Sequence, residues 1–229
     1  DHSSTQLKSA VVSKQYQLGG IEALRKRLSD SVKRRTLLED MAINIDRRGG
    51  PNSLLLVETE DPQWSGLRLD AIAATLKVQP AEAAARLIAE GQARVVSFNM
   101  TEDDIKTFMK EPWVATSSDG TDGHPRKFGS FPRKYSAYVR DSDTLSLAEF
   151  IRASSGLPAD ILGLRDRGYL ATGMIADVLV LDPKRYQENA SFAEWDRLSS
   201  GVEHLLVNGR FAIKDGVVTQ LRLGQPVTR

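Results

Sequence analysis

Apolar residues recur at helical spacing through the first half of the chain. Ile21, Leu24 and Leu28 share one face, and Leu37, Leu38, Met41 and Ile45 continue the stripe, the pattern of an amphipathic helix. This predicts a helical stretch that opens at Gly19-Gly20 and closes at Gly49-Gly50-Pro51, where a permissive cap precedes a residue that cannot extend a helix. Residues 53–57 form a short continuous apolar run, which reads as a buried strand. After a turn at 63–66, Leu69, Ile72, Ala73 and Leu76 mark a helix, and Pro80 opens another that carries Ala84, Leu87 and Ile88 and ends near Gly91. Residues 94–100 read as a strand. The run Thr101-Glu102-Asp103-Asp104 resembles a capping box for a helix with Ile105, Phe108 and Met109. Pro112 ends that helix, and 113–116 reads as the next strand. Alternating strands and helices over 53–120 predict an α/β unit with parallel strands.

Beyond residue 120 the pattern changes. Gly, His, Pro, Arg and aromatics crowd 120–135, as in a long functional loop. Ser146-Leu147-Ala148-Glu149 is a capping box before a short helix with Phe150 and Ile151. After Gly168 come β-like runs at 176–181, 202–207, 210–213 and 217–221. Asn208-Gly209 and Asp215-Gly216 sit between them as hairpin turns. This tail predicts a small β domain or strands added to one. The first twenty residues show no clear period, and no repeat or low-complexity tract is present.

With 229 residues there is room for one large domain or two smaller ones. A hydrophobic content of 41% and a charged content of 27% fit a globular chain rather than a disordered one. The 31 basic and 30 acidic residues nearly cancel, which gives no reason to expect a nucleic-acid or anionic-membrane partner. No apolar run approaches a membrane span. The absence of cysteine excludes disulfides and thiolate metal ligands. The chain starts Asp1-His2-Ser3-Ser4 without an initiator methionine or signal peptide, and reads as a fragment or processed chain. We expect a cytoplasmic location, with the periplasm left open.

Candidate chemistry is sparse. Asp119, in Ser117-Ser118-Asp119-Gly120, follows a predicted strand in an α/β context. A carboxylate at that end of a barrel strand can hold a metal or take a proton, although an Asp before Gly is also an ordinary turn former. A few residues on, the run from Gly123 to Arg133 packs His124, Arg126 and further cations between glycines and prolines. An arginine there can grip a carboxylate through two parallel hydrogen bonds; the plainer reading is a surface loop of solvated charge. His2, His124 and His204 are the only histidines, and none forms a His-x-His or His-Glu-x-x-His pair. His204 lies in an alternating run and reads as structural. Ser4 belongs to a polar start with no nucleophile elbow around it, and no phosphate loop or dinucleotide fingerprint occurs.

These residues resemble a known family. Residues 113–120 together with His124-Pro125-Arg126-Lys127-Phe128-Gly129-Ser130-Phe131-Pro132-Arg133 are similar to the N-acyl-D-amino-acid deacylase (D-aminoacylase) group, and 96–104 resembles the segment that precedes them there. Residues 167–170, 173–183 and 207–209 resemble a tail shared more widely by amidohydrolases. The resemblance implies the C-terminal part of a metal-dependent (β/α)8 TIM barrel with an insertion, plus strands of a small β-sandwich or barrel domain. Residues 1–165 would be late strands and helices of the barrel, with an α-rich insertion at about 17–95, and 166–229 the small β domain. It implies zinc-assisted hydrolysis of the amide of an N-acyl-D-amino acid. Asp119 would be the general base facing the metal centre. Arg126 would bind the substrate α-carboxylate, with Ser4 and His124 also lining the substrate site.

The match is incomplete. The family's early His-x-His and its Tyr-Pro-Tyr motif are not among these residues, and a full barrel takes about 250 residues. The expected partners are therefore a small-molecule N-acyl amino acid and the barrel's preceding N-terminal portion. Alone, the chain is expected to be inactive. Two rival readings remain at this point: another amidohydrolase of dihydroorotase or isoaspartyl dipeptidase type, and a non-catalytic remnant that only packs against a partner.

Overall fold

A computed structural model describes residues 3–120 and 122–227. Contacts divide the chain into two compact units, Asp1–Thr101 and Glu102–Arg229; His2 lies outside the described residues.

The first unit places helices against a three-stranded sheet of order β1-β3-β2. The strands are β1 (Ser3–Gln6), β2 (Leu54–Thr59) and β3 (Ala93–Ser97). The first twenty residues, without a legible period, hold β1, α1 (Leu7–Val11) and α2 (Lys14–Gln17). The expected single helical stretch is two helices, α3 (Gly20–Ser29) and α4 (Ser31–Arg47). Asp30 divides them: its backbone is extended, and its carboxylate accepts from the N–H groups of Val32 and Lys33 at 3.1 Å, an N-cap that starts α4 afresh. Along α4, Leu37, Met41 and Ile45 are buried four residues apart. At its end the N–H of Gly50 reaches the carbonyl of Ile45 and that of Gly49 reaches Asp46. Gly49 has φ of 92°, so this is a Schellman closure, which needs a left-handed residue at that place. Two further helices, α5 (Leu69–Leu76) and α6 (Pro80–Glu90, with Pro at its start), pack together between β2 and β3. Leu7, Val11, Leu24, Leu28, Leu54, Leu56 and Ile72 join one buried cluster.

The expectation of parallel strands is overturned. β3 pairs antiparallel with both β1 and β2. One helical traverse returns a chain to the end of the sheet from which a parallel strand starts. Here two helices lie between β2 and β3, and an even number of traverses brings the chain back in the opposite sense.

In the second unit, α7 (Glu102–Met109) leads through a coil to α8 (Arg126–Tyr135). The predicted strand at 113–116 is not formed. A strand needs a backbone ladder partner, and among the described residues the main-chain cross-link from this stretch to a distant segment is one bond, from the Thr116 N–H to the Ala153 carbonyl at 2.8 Å. The long loop expected at 120–135 is mostly helix instead. Pro125, with φ of −62° and ψ of −21°, already has the conformation a helix start requires, and α8 continues past Pro132 into a π-helical turn over Ser136–Arg140. Next, α9 (Leu147–Ile151) carries the predicted capping box, with both reciprocal bonds between Ser146 and Glu149 present. A second π-turn and α10 (Leu157–Leu162) follow.

The tail forms an antiparallel sheet of order β4-β5-β6-β7, comprising β4 (Val178–Leu181), β5 (Val202–Val207), β6 (Arg210–Lys214) and β7 (Val217–Val218). Both expected hairpin turns are present. Asn208 and Gly209 have φ of 50° and 74°, and Asp215 and Gly216 have 51° and 75°, the two consecutive positive angles of a type I′ turn. His204 is structural, as expected, with its Nδ1 accepting the N–H of Asp215 at 3.1 Å.

At the end of α8, Tyr135 packs its ring at a tilt against Phe150 and Tyr186, with centroids 5.6 and 5.5 Å apart. Burial pushes the Tyr186 hydroxyl up to about 12. The fold therefore holds that proton more tightly than the unfolded chain does. This stabilisation is complete below the ordinary value of 10.0 and is lost as pH rises through about 12. We expect the urea midpoint to fall between those pH values, by the equivalent of about 2–3 kcal/mol from this residue. Tyr186→Phe should flatten the fall; an identical pH dependence in the variant would show that the hydroxyl is not what the core protects.

Candidate active site

Asp119 ends the coil that follows α7. Its φ is 41°, a left-handed conformation that Asp and Asn adopt more readily than other side chains. The turn-former reading of this residue is thus correct as far as the backbone goes, and it does not compete with a chemical role. The turn projects the carboxylate outward, with 76% of the side chain exposed.

Arg126, the first residue of α8, grips this turn. Its Nη2 lies 2.7 Å from Asp119 Oδ2, and its Nε donates to the Asp119 carbonyl at 2.8 Å. The guanidinium side chain is only 10% exposed. Position reinforces charge, because a carboxylate near a helix N-terminus also meets the positive end of the helix dipole.

His124 is 1% exposed. Its Nδ1 accepts the backbone N–H of Arg126 at 3.1 Å, one of the donors a helix start leaves without an internal partner. Accepting there places the proton of the neutral ring on Nε2. The ring also meets Phe192 edge-on, with centroids 5.1 Å apart. The expected trio Asp119, His124 and Arg126 is thus gathered at the start of α8.

Ser4 lies in the first unit, on β1 opposite Val96. Its Oγ is buried without a hydrogen-bond partner among the described residues.

One residue escaped the sequence reading. Lys134, at the far end of α8, is 7% exposed, and its Nζ donates to Thr116 Oγ1 at 2.8 Å. In the sequence it is one more cation of a basic run; only its burial distinguishes it.

A zinc site needs three or four converging donors. Among the described residues no group of three or more His, Cys, Asp or Glu side chains is placed to hold a metal. These residues do not fit a complete zinc centre by themselves.

The sequence pattern of the amidohydrolase family, Amidohydro_3, matches residues 26–213. This chain belongs to the amidohydrolase family. Its relatives there are D-aminoacylases. The chain is 33% identical over 187 residues to the N-acyl-D-glutamate deacylase of Alcaligenes xylosoxydans xylosoxydans, covering 74% of this chain and 38% of that protein. It is 29% identical over 172 residues to the D-aminoacylase of the same organism, covering 73% of this chain and 35% of that protein. The amidohydrolase chain thus spans little more than a third of the length of either curated relative.

Among solved structures, it superposes on the N-acyl-D-glutamate deacylase of Bordetella bronchiseptica complexed with zinc and a phosphonate inhibitor. The TM-score is 0.65 at 32% identity, covering 73% of this chain and 36% of that one. A D-aminoacylase structure described as defining a novel subset of amidohydrolases gives 0.70 at 28% identity, over 77% of this chain and 38% of that one. The fold is accordingly part of the amidohydrolase TIM-barrel architecture, mixed α/β with a separate small sheet.

The turn geometry makes a test possible. Asp119→Asn keeps a residue suited to positive φ and loses only an exposed ion pair, so the unfolding free energy should change by less than about 0.5 kcal/mol. Asp119→Val should cost about 1–2 kcal/mol, since a β-branched residue is strained there. Equal losses in urea unfolding of the two variants would place the stabilisation in the ion pair rather than the backbone.

Proposed function

We propose that this chain is the part of an N-acyl-D-amino-acid deacylase that supplies its proton-accepting carboxylate and its substrate-gripping cation. The observation that carries this reading is the Asp119–Arg126 pair, an exposed carboxylate held 2.7 Å from a largely buried guanidinium. In this reading residues 1–165 belong to the late barrel, with the insertion at about 17–95, and 166–229 to the small β domain. Deacylase relatives, one of them solved with zinc, support the assignment of reaction and cofactor. In a protein of the relatives' full length, Asp119 faces the metal, and the other donors come from the part of the family's length that this chain does not span.

The pair has a working logic. Arg126 meets Asp119 through Nη2 on the carboxylate and Nε on the carbonyl. The Asp119 end of the pair is open to solvent, which screens the attraction, so an arriving α-carboxylate can displace the Asp119 carboxylate from Nη2. The Nε bond to the main chain keeps the turn in place meanwhile. Asp119 is then turned from an arginine partner into an acceptor for the proton of the attacking water. His124 acts through Arg126, by holding the first N–H of α8. Ser4, in the first unit, has a hydroxyl buried without a hydrogen-bond partner among the described residues, and that fits a group completed from outside them.

The test uses the full-length protein that carries this chain. Asp119→Asn should lower kcat by about 10²–10⁴-fold with little change in KM, because the amide cannot accept the proton. Arg126→Ala should act mainly on KM, by about 2–5 kcal/mol, and Arg126→Lys should recover only part, lacking the planar fork. A substrate amidated at the α-carboxylate should be equally poor for wild type and Arg126→Ala. Near-normal kcat in Asp119→Asn, or an amidated substrate that still separates the two proteins, would overturn these roles. The 229-residue chain prepared by itself should show no turnover and less than one zinc per chain.

A further inference from the structure

Lys134 is 7% exposed, and the described partner of its ammonium is a hydroxyl, Thr116 Oγ1, at 2.8 Å. That oxygen also lies 2.9 Å from Ser154 Oγ, and the Thr116 N–H donates to the Ala153 carbonyl at 2.8 Å. Among the described residues no carboxylate forms an ion pair with Lys134, whereas the adjacent Arg133 is 60% exposed and pairs with Glu188 at 3.0 Å. A cation buried against hydroxyls alone is costly, and that burial pushes the Lys134 ammonium below the usual lysine range. Stability therefore gives no reason for this lysine.

Geometry supplies one. Arg126 and Lys134 stand eight residues apart on α8, a rise of about 12 Å. Thr116 and Asp119 stand three residues apart on the coil, about 10 Å if extended. Helix and coil therefore run in opposite senses with matched spans, Lys134 on Thr116 at one end and Arg126 on Asp119 at the other. Residues 114–120 have no helix or strand of their own to set their place.

We propose that Lys134 is a positioning residue: by holding the Thr116 hydroxyl, it fixes the register of the coil against α8 and so sets where the Asp119 carboxylate stands. Its catalytic consequence rests on the deacylase reading; its ordering of the coil does not. The two anchors divide the work. Arg126 holds the turn and engages the substrate, and Lys134 holds the coil while Arg126 is engaged.

The experiment replaces the amine and keeps its stem, as Lys134→Met in the full-length protein. Turnover should fall by about tenfold or more with KM within about twofold, the mark of a misplaced reacting group rather than a lost binding contact. The melting temperature should stay the same or rise, because a desolvated charge has been removed. Amide hydrogen exchange should quicken in 113–120 and remain unchanged in α9 and β5. Thr116→Val should reproduce the kinetic and exchange effects but lower the melting temperature, because it leaves the buried ammonium without its hydroxyl; Thr116→Ser should behave as wild type, and the double variant should lose no more turnover than either single one.

Normal kcat with unchanged exchange in the coil would overturn the proposal. So would a kcat loss accompanied by a lower melting temperature and faster exchange throughout, which would make Lys134 an ordinary structural residue. Faster exchange confined to the coil, in a protein whose Asp119→Asn variant is fully active, would overturn the deacylase reading while supporting the anchoring role.

Discussion

Arg126 holds one residue by two different groups, its carboxylate and its main-chain carbonyl, and much of the second unit is arranged so that it can. Pro125 supplies a helix-ready backbone just before it, and His124 takes its N–H from two residues back. The helix that starts there ends on Tyr135, which packs into an aromatic cluster with Phe150 and Tyr186. A guanidinium is planar and rigid, so a fixed helix start becomes a fixed direction for hydrogen bonding. The side chain that faces solvent is then the carboxylate, not the guanidinium: 76% exposure for Asp119 against 10% for Arg126. The carboxylate is left accessible this way, and the cation keeps its orientation.

What the sequence showed in advance was local chemistry. The Ser146–Glu149 capping box, Pro80 at a helix start and the two hairpin turns each depend on residues within a few positions of one another, and all are present. The cap at Asp30 is equally local, but the apolar stripe on either side of it reads as one helix and conceals the break. Strand direction was not legible, because it depends on whether α5 and α6 count as one traverse or two. Residues 113–116 look like a strand because apolar and β-prone residues cluster there, yet a strand is a relation between two segments and the second is not among the described residues. At α8, two prolines and two glycines suggested a shaped loop; one proline instead precedes the helix and the other is tolerated within it.

The site divides in the same way. Asp119, His124 and Arg126 were legible because they are close in sequence and resemble a family motif. The geometry adds that His124 turns its Nδ1 to the main chain. Lys134 was not legible. Arg133 and Lys134 are adjacent cations, and the sequence gives no sign that one is exposed and the other enclosed. The π-helical turn that begins at Ser136 adds to the difficulty, because an extra residue per turn breaks the 3.6-residue period on which a reading of faces relies.

The pairing of β1 with β3 has a consequence for how such a protein can vary. Ser3 lies opposite Ser97 in the ladder, so the chain enters and leaves this sheet on neighbouring strands, about 5 Å apart. Everything from α1 to α6 hangs between those two points. To a scaffold outside it, such a segment looks like a loop whose ends already meet, and the ordering cost of accommodating it grows only slowly with its length. Helices could be added, trimmed or exchanged within that span without moving the two strands that frame it.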